Sequence, residues 1–272
     1  MKTIELRDQL TRLLSGIPEI VGIGQTGDIH APLVPGKSDI DLFVICRLVP
    51  DSSERSRLYA QLEPWTDSLE MEVSRGGIWG HGDVFLSGGI DVMPMYFTEA
   101  EMRLYLEEVL SGRHPGKEGR FYPVGRLASI ESLNVLWERD GAWTNMIRRV
   151  KEHPEAFFRM WYRNEAACIL DEEDLGRAEL RCEVLFFHQV VEEFMDHFLQ
   201  ALYALNRRYF PSRKRTEEAI AQFSLKPENC CMRMKRILTL AACADTVPKA
   251  VTEIRKLGTE LLEIPFDRDG KA

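Results

Sequence analysis

No stretch of about 18 apolar residues occurs anywhere in this 272-residue chain, so no membrane-crossing helix is expected. The opening residues, Met1-Lys2-Thr3-Ile4-Glu5-Leu6-Arg7-Asp8, lack an apolar run of signal-peptide length, and a cytoplasmic protein is the expectation. Positive charge is not in excess: 35 Lys and Arg stand against 43 Asp and Glu, a net charge of −8. Affinity for nucleic acid is carried largely by cationic contacts to phosphate, so nucleic acid is not the expected partner. The six cysteines, at 46, 168, 182, 230, 231 and 243, include no C-x-x-C pair. We read them as reduced, packed thiols; for the vicinal Cys230-Cys231 pair, metal binding or oxidation stands as the alternative to packing, which is favoured. Internal repeats and low-complexity tracts are also absent.

What is present changes character near the middle of the chain. Residues 3–15 have helical periodicity, with Ile4, Leu6, Leu10, Leu13 and Leu14 toward one side. Residues 19–24 suit a buried strand, 25–37 form a loop rich in Gly and Pro, and 39–46 alternate as a strand. A helix over 53–62 follows, then short strands at 69–74, 83–87 and 90–97, with Gly88-Gly89 as a hairpin turn between the last two. Pro94 suggests an edge strand or a change of character. Thr98 and Glu101 form a capping box for a helix over 99–110. Residues 111–126 read as irregular, and 134–137 as one more short strand. Beyond 142 the pattern is helical only, with the longest helix expected over Ala178 to Leu205. Its apolar stripe runs Leu180, Val184, Phe187, His188, Val191, Met195, Phe198, Leu202, Leu205 and serves either an internal core or a homodimer interface. The expected fold is therefore α/β (α+β): a small mixed sheet in residues 1–141, then an all-helical domain in 142–272, with a substrate cleft between them.

Chemistry concentrates in Gly22-Ile23-Gly24-Gln25-Thr26-Gly27-Asp28 and, after a loop, Ser38-Asp39-Ile40-Asp41-Leu42. Residues two apart on a strand share a face, with Cα atoms about 6.5–7 Å apart. Asp39 and Asp41 therefore converge while Ile40 and Leu42 face the core. Two such carboxylates repel, and a hard divalent cation is their natural partner. A glycine-rich loop beside them lets backbone N–H groups approach phosphate. Phosphate cradle plus acidic metal site is what nucleotidyl transfer needs.

These residues resemble the signature of the DNA polymerase β-like nucleotidyltransferase superfamily: a strand, a Gly-Ser or Gly-Gly turn, a loop, then Asp-x-Asp on the next strand and a further carboxylate. The likeness covers about the first 100 residues. With the helical second half, the layout resembles bacterial antibiotic nucleotidyltransferases, particularly the lincosamide type, and the stretch Leu205-Asn206-Arg207-Arg208-Tyr209-Phe210-Pro211 is similar to segments in uncharacterised bacterial relatives. The resemblance implies that Asp39, Asp41 and Asp91, the last in a Gly-Ile-Asp-Val context, hold Mg2+. It implies that Gly24, Gln25, Thr26 and Gly27, with Ser38, hold the triphosphate. The implied reaction moves a nucleoside monophosphate from an NTP to a hydroxyl of a small-molecule acceptor such as an antibiotic, releasing pyrophosphate. The chain departs from the pattern at the turn, where Ser is missing. Two registers fit, Gly24-Gln25 and Gly27-Asp28; the first is favoured, because the second puts a carboxylate where the triphosphate sits. The departure keeps two alternatives open: transfer to a protein or RNA, or a catalytically silent nucleotide-binding regulator.

Other residues have plainer readings beside functional ones. Asp83 competes with Asp91 as third carboxylate, and Glu70 or Glu72 as a base on the acceptor side. His188 reads as a core histidine, while His30, His81 and Trp79 lie in Gly-rich loops read as near the site, Trp79 on the pocket rim. Trp65, Trp137, Trp143 and Trp161 read as packing residues. Arg207, Arg208, Arg213, Lys214 and Arg215 form a basic cluster, read as a solvated helix end or an anion contact.

Overall fold

The computed structural model describes residues 3–62, 68–113, 117, 119 and 121–266, with side chains from Leu6 onward. The side chain of Ile4, and the whole of Trp65, fall outside the described residues. The chain divides into two compact units, Met1–Val109 with Ser129–Glu152, and Leu110–Ala128 with His153–Ala272. Among the described residues no helix is long and apolar enough to cross a membrane.

The first unit is built on a six-stranded mixed sheet. Its strands are β1 (Ile20–Gln25), β2 (Asp39–Cys46), β3 (Leu69–Arg75), β4 (His81–Ser87), β5 (Ile90–Thr98) and β6 (Asn134–Glu138). Their spatial order is β3-β4-β5-β2-β1-β6; β2 and β5 run parallel, and every other pair is antiparallel. Alternation along β2 decides what each face does. Ile40, Leu42, Val44 and Cys46 enter the main core with Ile20, Ile23, Val92 and Tyr96. Helix α1 (Thr3–Ser15) closes that core with Leu6, Leu10 and Leu14, and α2 (Ser52–Tyr59) with Leu58 and Tyr59. Burial pushes the Cys46 thiol up to about 12, so it packs as an apolar group.

The opposite face is covered at one end by α5 (Ala142–Lys151). Trp143 is fully buried there, with its ring edge-on to Phe43, which in turn stacks on Phe97 at 6.0 Å. A Cβ on Gly22 would stand 2.8 Å from Trp143 Cδ1, and one on Gly24 would clash with Leu133 Cδ2. Side chains at these two positions would displace the residues packed on β1.

Local signals in the sequence have clear counterparts. Helix α3 (Glu99–Leu110) begins at the reciprocal capping box: Glu101 N–H donates to Thr98 Oγ1 at 3.2 Å, and Thr98 N–H donates to Glu101 Oε2 at 3.1 Å. Gly88 and Gly89 turn between β4 and β5 with φ of 57° and 77°, as a tight hairpin requires. Pro94 is not on an edge: β5 lies between β4 and β2. The β4–β5 register is the same on both sides of Pro94, and the ladder lacks bridges only between Gly82↔Met95 and Phe85↔Val92, where proline has no N–H to donate.

The second unit contains helices α6 (Glu155–Ala166), α7 (Glu172–Arg181), α8 (Val184–Leu205), α9 (Thr216–Ala221), α10 (Cys230–Leu240) and α11 (Val247–Leu262), while α4 (Pro123–Glu131) spans the border between the two units. The expected single helix over Ala178 to Leu205 is two. Cys182 adopts φ 53° and donates its N–H to Ala178 O, a left-handed stop that ends α7, and extended Glu183 leads into α8. Leu180 is consequently outside the buried stripe, at 86% exposure. His188 is exposed as well, not a core residue, because the buried face of α8 runs through Phe187, Val190, Val191 and Phe194.

Candidate active site

In the parallel β2–β5 pair Asp39 is the register partner of Asp91, and Asp41 that of Met93. Neighbouring strands lie about 4.8 Å apart, and paired residues point to one face. Asp39, Asp41 and Asp91 therefore share the face opposite the α1–α2 core, at the ends where both strands begin. Asp39 and Asp91 are exposed and Asp41 is half-buried. The Asp91 N–H donates to Ser38 O at 3.4 Å, and Gly36 N–H to Gly89 O at 2.7 Å, so the loop before β2 is tied to the hairpin before β5. Among the described residues, no group of three or more His, Cys, Asp and Glu side chains is gathered closely enough to hold a metal ion.

The loop residues are individually committed. Gln25 pairs with Leu42, which puts its side chain on the core face, away from Asp41. It is 3% exposed, and its Oε1 accepts from Arg7 Nε at 2.6 Å. The carboxamide expected to meet phosphate is thus used inside the fold. Gly24 lies on the face of Phe43, where Leu133 crosses it. Thr26 is half-buried and donates its N–H to Asp41 O at 3.4 Å. Gly27 is exposed, and its carbonyl accepts from Asn134 Nδ2 at 2.8 Å. Ser38 Oγ accepts from Val34 N–H at 2.8 Å, which closes the loop on itself. Asp28 does the same locally, accepting from His30 N–H at 2.8 Å.

Several other residues fall elsewhere. His81 pairs with Tyr96, five residues along β5 from Asp91, about 16 Å at strand rise. His81 and the neighbouring Trp79 therefore stand at the far end of the sheet from the carboxylates. Glu70 is on β3, an outer strand.

Asp83 is fully buried on the core side. Arg55 grips it with two donors, Nε to Oδ2 at 2.8 Å and Nη2 to Oδ1 at 3.1 Å. Tyr59 donates to Asp83 Oδ2 at 2.8 Å and meets the Tyr96 hydroxyl at 2.5 Å, while Glu72 N–H donates to Oδ1 at 2.9 Å. Arg55 also donates to Pro50 O at 2.7 Å and lies over the Tyr96 ring at 5.0 Å. Burial alone would lower the Arg55 pKa, but the Asp83 hydrogen bonds and charge outweigh it and the pKa is raised. Burial likewise raises both tyrosines. Asp83 is thus the anchor of a buried network rather than a third metal ligand. Glu72 is drawn to the same network, with Oε2 at 3.1 Å from Arg75 and Oε1 at 3.7 Å from Arg55.

In the helical unit, Arg207 donates to both Glu155 oxygens, at 3.1 and 2.8 Å, and to Phe266 O at 2.9 Å. Arg213 donates to Glu192 Oε2 at 2.8 Å and to Asp196. Two members of the basic cluster therefore already have carboxylate partners. His197 lies 2.8 Å from Glu165, which raises its pKa. An open cavity of about 450 Å³ is lined by Cys168, Ile169, Leu175, Phe194 and His197 among others, and contains none of the expected site residues.

No family model matches the chain, and no curated protein does. Among solved structures it is similar to a nucleotidyltransferase-like protein from Exiguobacterium sibiricum 255-15, at 12% identity and a TM-score of 0.37, over 94% of this chain and 74% of that one. It is also similar to the soluble domain of CorA from Methanocaldococcus jannaschii, at 13% identity and a TM-score of 0.18, over 90% of this chain and 99% of that one.

Proposed function

We propose that this chain is a magnesium-dependent nucleotidyltransferase that moves a nucleoside monophosphate from an NTP to a hydroxyl of a small molecule. The observation that carries the reading is the register of β2 and β5, which sets Asp39 directly beside Asp91 with Asp41 on the same face. The donor set suits a hard cation, since it offers carboxylate oxygens with no thiol or imidazole; the three side chains are not gathered around one point as they stand, and a bound ion would have to draw them together. Asp39 and Asp41 would hold Mg2+ together with Asp91. Bound there, the ion would stabilise charge on the transferring phosphoryl group. Asp91, on the neighbouring strand, is the carboxylate assigned to the acceptor hydroxyl and its proton. Backbone amides of the loop after Gly24 would carry the triphosphate. A net charge of −8 favours a small or cationic acceptor over a polyanion.

A second reading, binding without turnover, is favoured by one observation, the withdrawal of the Gln25 side chain from the acidic face. The two separate in an assay of pyrophosphate release, with each of the four NTPs and a panel of hydroxylated amine antibiotics. Release that depends on magnesium and acceptor, and that falls at least about 100-fold in Asp91→Asn, supports transfer. Nucleotide binding with no release on any acceptor supports the silent reading.

A further inference from the structure

Arg7 is remote in sequence from the acidic strands, yet it reaches the loop between β1 and β2, which leads into Asp39. It lies on α1, 8% exposed, and its guanidinium makes two contacts to the end of β1 and the residues beyond. Nε donates to Gln25 Oε1 at 2.6 Å, and Nη1 donates to Ile29 O at 2.6 Å. Asn134, the β6 register partner of Gln25, donates from one nitrogen to Gly27 O at 2.8 Å and to Gln25 O at 3.3 Å. Two side chains thus engage the carbonyls of three alternate residues, Gln25, Gly27 and Ile29.

The C=O and N–H of one planar peptide unit point in opposite directions. Drawing the Gln25 carbonyl toward Asn134 turns the Thr26 N–H the other way, where it meets Asp41 O at 3.4 Å. Drawing the Gly27 carbonyl to the same Asn134 turns the Asp28 N–H away from β6 in turn. Carbonyl oxygens aimed at a triphosphate would repel it, whereas amides aimed at it attract it. The side chain at position 25, where the resembled signature has a hydroxyl or nothing, is part of the same arrangement because it is what Arg7 Nε holds.

Resting on the nucleotidyltransferase reading, we infer that Arg7 and Asn134 are positioning residues for the nucleotide. They hold the carbonyls of Gln25, Gly27 and Ile29, so that backbone amides beyond Thr26, whose own N–H is engaged by Asp41 O, rather than the residue 25 side chain, receive the phosphates. The missing Ser is then a relocation of phosphate contacts to the main chain.

The test uses the full chain with Asn134→Ala and Arg7→Lys. The second keeps the charge and loses the planar fork. Three quantities are read: the Kd for magnesium-ATP, -GTP, -CTP and -UTP, the hydrogen-exchange rates of amides 26–31 without nucleotide, and the Tm. Asn134→Ala is expected to speed exchange in the loop, leave β2 and β5 protected, and raise Kd about five- to tenfold. Arg7→Lys is expected to act in the same direction. Faster exchange or a lower Tm with an unchanged Kd makes the two residues merely structural and overturns the inference, as does unchanged exchange. If Arg7→Lys fails to fold, Asn134→Ala decides alone. If wild type binds none of the four nucleotides, the nucleotidyltransferase reading falls and this role with it. If wild type binds and the variants bind equally well, only this role falls.

Discussion

At the scale of single residues, Asp83 and Arg55 show how strongly context decides the use of a charge. A buried ion pair loses hydration that its attraction only partly returns, so it persists where every remaining donor and acceptor is satisfied. Here Tyr59, the Glu72 N–H and Pro50 O complete the set. Asp83→Ala should therefore leave a buried guanidinium with only the more distant Glu72 as counter-charge and destabilise the first unit by about 3–5 kcal/mol. The double variant Arg55→Met/Asp83→Leu should recover much of that, as read by urea unfolding. Gly24→Ala should clash with Leu133 and cost about 1–3 kcal/mol. Adding Leu133→Ala should relieve part of the clash, whereas a purely phosphate-binding role for Gly24 predicts no such rescue. His197 carries a pH signature. Its pKa is raised above the ordinary 6.5, first by the hydrogen bond to Glu165. The folded state therefore holds its proton more tightly, and the pair's contribution is full below about 6.5 and lost as pH rises through the folded value. The Tm difference between wild type and His197→Gln should shrink from about pH 5.5 to about pH 8.5. A constant difference would contradict the pairing.

At the scale of elements, local chemistry was readable where it is local. The capping box at Thr98 and Glu101, the turn at Gly88-Gly89 and the alternation of 39–46 each act over a few residues, and each stands where the sequence put it. What could not be read depends on partners distant in sequence. Nothing near Gln25 says that Arg7 will claim its side chain, and nothing near Gly22 or Gly24 says that Trp143 and Leu133 will pack there. Gly24 reads from the sequence as part of a phosphate-holding turn, and in the fold Leu133 packs against it. The break between α7 and α8 is not legible in the sequence because Cys182 carries no glycine-like signal, although its φ is 53°. Cys182→Gly should relieve that conformation and stabilise the helical unit by about 0.5–1 kcal/mol, measured as a higher Tm. A loss of stability would mean that the thiol, whose Sγ lies 3.4 Å from Glu179 O, outweighs the backbone strain.

At the scale of the whole molecule, the α/β class with a helical part was legible from the change of periodicity, and the register was not. Which strand lies beside β2 is a long-range decision, and that decision makes Asp39 and Asp91 neighbours. The Asp-x-Asp pair was visible as a motif, whereas its alignment with a third carboxylate follows from the parallel β2–β5 pairing, which alternation alone does not specify. The same topology removes His81 and Trp79 to the other end of the sheet.

The central claim is that Asp39, Asp41 and Asp91 form one magnesium-nucleotide site. Calorimetric titration of the four NTPs with and without magnesium, on wild type and on Asp39→Ala/Asp41→Ala, tests it most directly. Magnesium-dependent binding of at least one nucleotide that disappears in the double variant, with the variant's Tm near that of wild type, is the predicted result. Binding that survives in the folded double variant, or a wild type that binds no nucleotide in the presence of magnesium, would contradict it.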